Sequence, residues 1–317
     1  MRNMRILASA VAPLFLGAIS ALAAGEAQVA APAAAPAGGD PLTLSAAAGG
    51  SNMFETDIQE DGGKFSRARV GAAFGLDYRF TDALAMKNKV NYTYDSYNFS
   101  DTLGDVDPWG NVHTLTYNML FEYKIDDTWT LFGGPNAGYA AEDGADWGHA
   151  LIWGGSVGAK YRVNPDLMVG LGIAGIQPIE DGFAVLPIIL LDWKISDEFA
   201  LRNSNPIPGV TMGFLGLEGV WMFAKDWEAV VGAQVEKSRF RLSDNNPIAE
   251  SGVGQVTGVP VYARVNWKAN EQVTVSGIIG AIANGNLRID DKNGNKIGDD
   301  VDYDTAPFVG AMVSFKQ

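Results

Sequence analysis

The chain has 317 residues, 47% of them hydrophobic, with 38 Gly, no Cys, and 37 acidic against 23 basic side chains, a formal net charge of -14. Charged residues at 19% are too sparse, and apolar ones too abundant, for a disordered chain, and the acidic balance opposes binding to a nucleic-acid backbone. The absence of Cys excludes disulfide scaffolds, thiol catalysis and Cys-based zinc sites.

The chain opens with a pattern of export. Arg2 and Arg5 form a basic start, residues 6–20 are almost wholly apolar, and Ala21-Leu22-Ala23 supplies a small-x-small cleavage site, so residues 1–23 are expected to be a cleaved signal peptide. Residues 24–41 are mostly Ala, Pro and Gly, and Pro32, Pro36 and Pro41 break any helix, which predicts a flexible tether. Beyond it no apolar run reaches the 18 or so residues of a spanning helix. If the mature protein crosses a membrane, it does so with strands.

From Ser66 to Phe80 the even positions are mostly apolar (Ala68, Val70, Ala72, Phe74, Leu76, Tyr78, Phe80) and the odd ones include Arg67, Arg69, Gly71, Asp77 and Arg79, an alternation of period two. The pattern recurs at about 42–50, 85–99, 112–125, 129–141, 150–163, 167–177, 183–195, 198–205, 211–224, 227–241, 258–269, 272–285 and 305–316. That predicts fourteen strands, or twelve without the two weakest, 42–50 and 198–205. In the twelve clearest, the apolar faces carry no formal charge and the opposite faces carry thirteen. A lipid-facing Arg or Lys at the bilayer midplane costs roughly 2–4 kcal/mol, whereas one facing a wet lumen costs little. Oil outside and water inside accounts for the asymmetry.

The connections alternate in length. Short ones follow an aromatic residue, as in YRFTD, YKIDD, YRVNPD, WKISD, WMFAKD and WKANE, an internal repeat at hairpin spacing. Tyr78, Tyr123, Tyr161, Trp193, Trp221 and Trp267 are thereby expected at one height, as a girdle at a membrane interface. The longer connections, near 51–65, 100–110, 142–149, 177–182, 206–210, 242–257 and 286–304, hold twenty acids against four bases. Such a rim holds divalent cations diffusely and repels anions.

With an export signal, an even strand count, an aromatic girdle beside short turns and a last strand running from Thr305 to Phe315, the chain resembles Gram-negative outer-membrane β-barrel proteins, porin-like in plan, over residues 42–317. The resemblance implies an all-β, antiparallel up-and-down transmembrane barrel with short periplasmic turns and long extracellular loops, embedded among outer-membrane lipids. It also implies recognition of the C-terminal strand by the outer-membrane assembly machinery. The aromatic of that signal is Phe315, followed here by Lys316 and Gln317.

Other motifs carry less. Gly154-Gly155-Ser156-Val157-Gly158 fits GxSxG and Gly170 to Gly175 fits GxGxxG, but both fall inside predicted strands, without the helix either chemistry requires. His113 and His149 are the only histidines, and no oriented Ser-His-Asx set is legible around them, so no catalytic residue is assigned. Asp291, Asn293 and Asn295 followed by Asp299 and Asp300 space oxygen ligands as calcium loops do, although Lys296 stands where an EF-hand needs Gly. Extending the apolar phase of strand 227–241 brings Lys237, Arg239 and Arg241 to the outside, as candidates to pair with lipopolysaccharide phosphates.

Inside, Arg67, Arg69, Asp77, Arg79, Lys87 and Lys89 share one wall, joined by Arg264 and Lys268, as a candidate charge filter. The strands over 167–195 point Met168, Ile176, Leu186, Ile188 and Leu190 inward, beside Gly134, Gly138, Gly154, Gly158, Gly170 and Gly172, which leaves room for an apolar filler such as a loop, the tether or a hydrophobic passenger. Fourteen strands enclose a lumen that is open or partly plugged. The expected function is a passive channel or transporter for small solutes; the alternative is a non-transporting barrel that anchors the envelope or displays its loops for adhesion, with an outer-membrane lipid hydrolase as the third reading.

Overall fold

The computed structural model describes residues 41–59, 63–101, 106–204 and 215–317; the segments expected as a signal peptide (1–23) and, but for residue 41, as a tether (24–41), and the loop expected at 206–210, lie outside them. The described chain is almost entirely strand: β1 (Leu42–Asp57), β2 (Lys64–Arg79), β3 (Leu84–Ser100), β4 (Asn111–Lys124), β5 (Trp129–Glu142), β6 (Leu151–Asn164), β7 (Leu167–Gln177), β8 (Ala184–Lys194), β9 (Phe199–Asn203), β10 (Leu215–Ala224), β11 (Trp227–Arg241), β12 (Val253–Lys268), β13 (Val273–Asp290), β14 (Val301–Tyr303) and β15 (Ala306–Lys316).

From β1 to β14 each strand pairs antiparallel with its neighbour in sequence, and β15 pairs with β13 and with β1, the latter from Ser45 opposite Lys316 to Met53 opposite Phe308. The sheet closes on itself. β14 and β15 are one strand broken at Asp304-Thr305, since β13 pairs with both, so the wall has fourteen positions, including the two weakest of the predicted strands. Closure leaves no unpaired edge, which in hydrocarbon is a requirement.

The pleat sorts the side chains as the alternation predicts. On β2, Val70, Phe74 and Tyr78 are exposed on one face while Phe65, Arg67 and Arg69 are buried on the other. Leu171, Ile173, Val185, Ile189, Val231 and Ile279 continue the apolar exterior, each more than half exposed. All six girdle residues are exposed; Trp227 stacks on Trp267 at 5.9 Å and Phe199 on Trp221 at 6.2 Å.

The short turns are held by their own polar side chains. Asp126 Oδ1 accepts from the backbone N–H of Thr128 and Trp129, Asn270 Oδ1 from those of Gln272 and Val273, and Thr81 Oγ1 from those of Ala83 and Leu84.

The extracellular ends differ from expectation. Residues 51–57, 253–257 and 286–290, expected as loop, continue as strand, because β1, β12 and β13 go on pairing with their neighbours above the apolar belt. There β11 also meets β5 across the ends of the five strands between them, with Arg241 beside Ala141 in parallel. Glu142 ties this region together: one carboxylate oxygen accepts from Gly110 N–H at 2.7 Å and the other from Ser243 N–H at 2.8 Å.

An arginine in place of Leu171, 71% exposed in the middle of β7, is expected to lower the folding free energy in lipid vesicles by about 2–4 kcal/mol. Urea titration of the vesicle-folded protein checks this, and an unchanged midpoint would move the lipid belt elsewhere.

Candidate functional site

The lumen is built from the inward phases, and its upper half is crossed by charges. Four strands separate β2 from β11 along the sheet, about 24 Å of wall at normal strand spacing. Yet Arg67 Nη1 lies 3.1 Å from Glu236 Oε1 and Arg69 Nη1 lies 2.9 Å from the same oxygen. Arg69 also donates from Nε at 2.6 Å and Nη2 at 3.1 Å to the two oxygens of Asp95 on β3, a bidentate pairing. The side chains of all four residues are 0–5% exposed. Two guanidiniums and two carboxylates thus span the barrel.

Above this cluster the same inward phases turn aromatic. Phe65, Tyr97, Phe99, Trp109, Phe240 and Tyr303 are buried, with Phe65 against Tyr303 at 4.9 Å, Trp109 against Phe240 at 5.4 Å and Trp109 against Phe99 at 5.5 Å. The extracellular half of the lumen is therefore a packed core.

Below, the lumen carries paired charges beside an apolar patch of Leu120, Phe132 and Leu190. Glu122 sits between Lys87, at 3.0 Å, and Lys160, while Glu218 accepts from Tyr262 at 2.7 Å and Arg264 at 3.0 Å. A chamber of about 50 Å³ is lined by Asp77, Lys87, Lys89, Asn118, Asn136 and Ser156, among others. Arg79 and Lys268 close the inward rows at the periplasmic ends of β2 and β12, with Lys268 exposed.

This arrangement corrects the picture of a basic filter facing open water. Arg67, Arg69, Lys87 and Arg264 all have carboxylate partners, because an unpaired guanidinium in so narrow a space would be desolvated without compensation. Asp95 and Glu236 lie on the polar phases of their strands and were legible there as inward acids; their meeting across the lumen was not.

The filler beside the small-residue wall is also identified. Phe132 on β5 lays its ring where side chains on Gly158 and Gly172 would stand, and packs with Leu120, Leu190 and Ile188. A side chain of the wall itself occupies that space.

Lys237, Arg239 and Arg241 are corrected too. They share the outward face of β11, but at that height the segments at 147–149 and 177–182 cover it, so the three are buried. Arg239 pairs with Asp290 at 2.7 Å and donates to the carbonyls of Ile179 and Glu180; Arg241 donates to the carbonyls of His149 and Ser251 and to Glu180 Oε1 at 2.6 Å. Both arginines are loop fasteners and not contacts for lipopolysaccharide.

The calcium candidates do not converge. Asp291 Oδ1 accepts from the N–H of Asn293 and Asn295 at 2.8 Å each, bonds that with the Asn295 amide hold its carboxyl below the usual carboxylate range, and Asp300 pairs with Lys296 at 3.1 Å. Among the described residues no three His, Asp or Glu side chains gather as a metal cluster, and Asp291, Asn293 and Asn295 close on one another as a turn that Asp299 and Asp300 do not join by any hydrogen bond to those three.

Ser156 lies mid-strand in β6 and shares no hydrogen bond with either histidine, whereas His113 has a partner on each ring nitrogen: Tyr92 Oη at 2.7 Å from Nδ1 and Asp143 Oδ1 at 2.8 Å from Nε2. That orientation was not legible in sequence, since the partners stand 21 and 30 positions away.

A closed fourteen-strand wall with an apolar exterior, an aromatic girdle and an ionised interior defines an outer-membrane β-barrel. The family model for the outer membrane protein beta-barrel domain matches residues 14–182, just over half of the chain, and the chain belongs to that family. Its place is the Gram-negative outer membrane. No curated protein matches the sequence significantly. Among solved structures, the toluene transporter TodX of Pseudomonas putida is 8% identical with a TM-score of 0.44, covering 88% of this chain and 90% of its own. An outer-membrane channel from Pseudomonas putida F1 is 12% identical at 0.43, covering 87% and 97%, and a FadL homologue of Pseudomonas aeruginosa is 10% identical at 0.41, covering 87% and 88%.

Replacing Glu236 by Ala leaves two buried guanidiniums with Asp95 alone between them, and is expected to cost about 3–5 kcal/mol of stability. The readout is the temperature at which the folded band on an unboiled gel is lost; a shift no larger than that of an exterior Ala substitution would show that the cluster carries no such energy.

Proposed function

We propose that the protein is a channel for small solutes across the outer membrane, closed in this conformation by the charge cluster and the aromatic core above it. The observation that carries this reading is the ionised interior. A barrel that only anchors or displays gains nothing from the triad Lys87, Glu122 and Lys160 on its inner wall, which keeps 12–25% of its side-chain surface in contact with solvent, whereas a water-filled path lowers the cost of such charges. The pairing of opposite charges favours small polar or zwitterionic solutes over ions of one sign.

A second reading, a sealed barrel that displays its loops, is favoured by the aromatic packing of Phe65, Phe99, Trp109 and Phe240 across the extracellular half. In either case β15 ends with Phe315 exposed on the outward face, which supports recognition of this strand by the outer-membrane assembly machinery.

Planar-bilayer recording separates the two. The channel reading expects discrete conductance steps from the purified barrel, longer-lived once Trp109→Ala and Phe240→Ala thin the core. Silence from both the wild type and that double variant would leave the sealed barrel.

A further inference from the structure

The outward face of β3, β4 and β5, away from the periplasmic girdle, carries aromatic rings gathered around a hydrogen-bonded histidine and carboxylate. His113 is held between Tyr92 and Asp143, and Asp143 Oδ2 accepts from the Asn111 amide at 3.1 Å. Three aromatic rings flank the imidazole, Tyr94 at 5.1 Å, Tyr92 at 6.1 Å and Trp147 at 6.3 Å, and Tyr139 extends the group at 6.2 Å from Trp147. Tyr92 is 41% and Trp147 44% exposed, so ring surface is presented outward.

The height of this platform follows from the register. Leu84 at the base of β3 pairs with Tyr123 of the periplasmic girdle, and Tyr94 stands ten residues further up. At about 3.3 Å per residue and a tilt of about 40° that is roughly 25 Å, the thickness of the apolar band. Tyr92, Leu115, Tyr139 and Leu151 form one row across four strands, and His113 sits one step above it. The platform therefore lies where hydrocarbon gives way to the headgroups of the outer leaflet, which in a Gram-negative outer membrane are sugars.

Its polar chemistry is acceptor-rich. Asp143 is held by the Asn111 amide and by His113, which keep its carboxyl below the usual carboxylate range, and among the described residues no Lys or Arg forms a salt bridge to it. Each carboxylate oxygen retains a free lone pair, and so does the Tyr92 oxygen once its proton is directed at Nδ1. Flat rings beside outward acceptors match the apolar face and the hydroxyls of a pyranose. We infer that Tyr92, His113, Asp143 and Trp147 form a saccharide-binding platform for the sugar headgroup of an outer-leaflet glycolipid, recognised through ring faces and hydroxyls and not through phosphate. The site is independent of whether the lumen conducts.

The test is titration of the folded full-length barrel in detergent micelles with three probes: rough-type lipopolysaccharide, the same glycolipid stripped of phosphate, and phosphatidylglycerol, with binding read from thermophoresis. The wild type is expected to bind both glycolipids within about threefold of each other, and the double variant Tyr92→Ala, Trp147→Ala to bind both roughly tenfold more weakly. Tyr92→Phe, which keeps the ring and removes only the hydroxyl of the relay, should lose about threefold for the glycolipids and nothing for phosphatidylglycerol. Heat-modifiability on gels confirms that each variant is folded. Failure of the phosphate-free glycolipid to bind, variants that bind it as the wild type does, or an equal loss for phosphatidylglycerol would each overturn the assignment.

Discussion

The structure depends on one constraint: in hydrocarbon, every backbone N–H and C=O of a spanning segment must find its partner within the protein. A sheet meets it only by closing. The pairing of β15 with β1 over nine residue pairs is therefore the contact on which all the others rest, because it converts two exposed edges into one continuous wall. Once closed, the pleat forces each strand to choose a face for each side chain, and a slip by one residue would send Arg67 and Arg69 into lipid. The cost of that slip sets the register of β2.

A cylinder of fourteen strands is too wide for single side chains to fill, and its interior is filled by pairs that reach toward each other. In the upper half, long side chains from opposite walls meet: Arg67 and Arg69 with Glu236, then Trp109 with Phe240. Ions bridge the distance at one level and rings at the next, so the same inward rows pass from polar to apolar as they leave the membrane. In the lower half charges are satisfied along the wall, between neighbouring strands or across one, and the centre stays free of such bridges. The barrel is thus two compartments stacked on one axis.

Strand number, face and girdle were legible in the sequence because they are local: period two, an aromatic before each short turn, and the charge asymmetry all lie within a single hairpin. Even the weak segment 198–205 appears as the five-residue β9. What could not be read is whatever depends on strands distant along the chain. Glu236 and Arg67 are 169 positions apart, and nothing in either strand marks the other as a partner. For the same reason Lys237, Arg239 and Arg241 had the right phase and the wrong surroundings. Alternation says which side of the wall a residue takes, but whether lipid, water or a folded loop lies on that side is decided by segments 60 to 92 positions away.

The extracellular acids show what that distinction means for charge. As sequence, they form a rim of net negative sign. In the structure Asp290 is fully buried between Arg239 and Arg288, Glu142 ties two other segments to its strand through the N–H groups of Gly110 and Ser243, and Glu180 meets Arg241. Bases on long strand extensions and acids on the loops attract each other across the outer surface, and the product is a lid of folded loops held on the strand ends. A rim meant only to concentrate cations would leave its carboxylates in water. Here Asp290, Glu142 and Glu180 hold the extracellular mouth in shape, while Asp181, Asp244, Asp299 and Asp302 stay exposed to water, so the acids of this end divide between structure and a solvated rim.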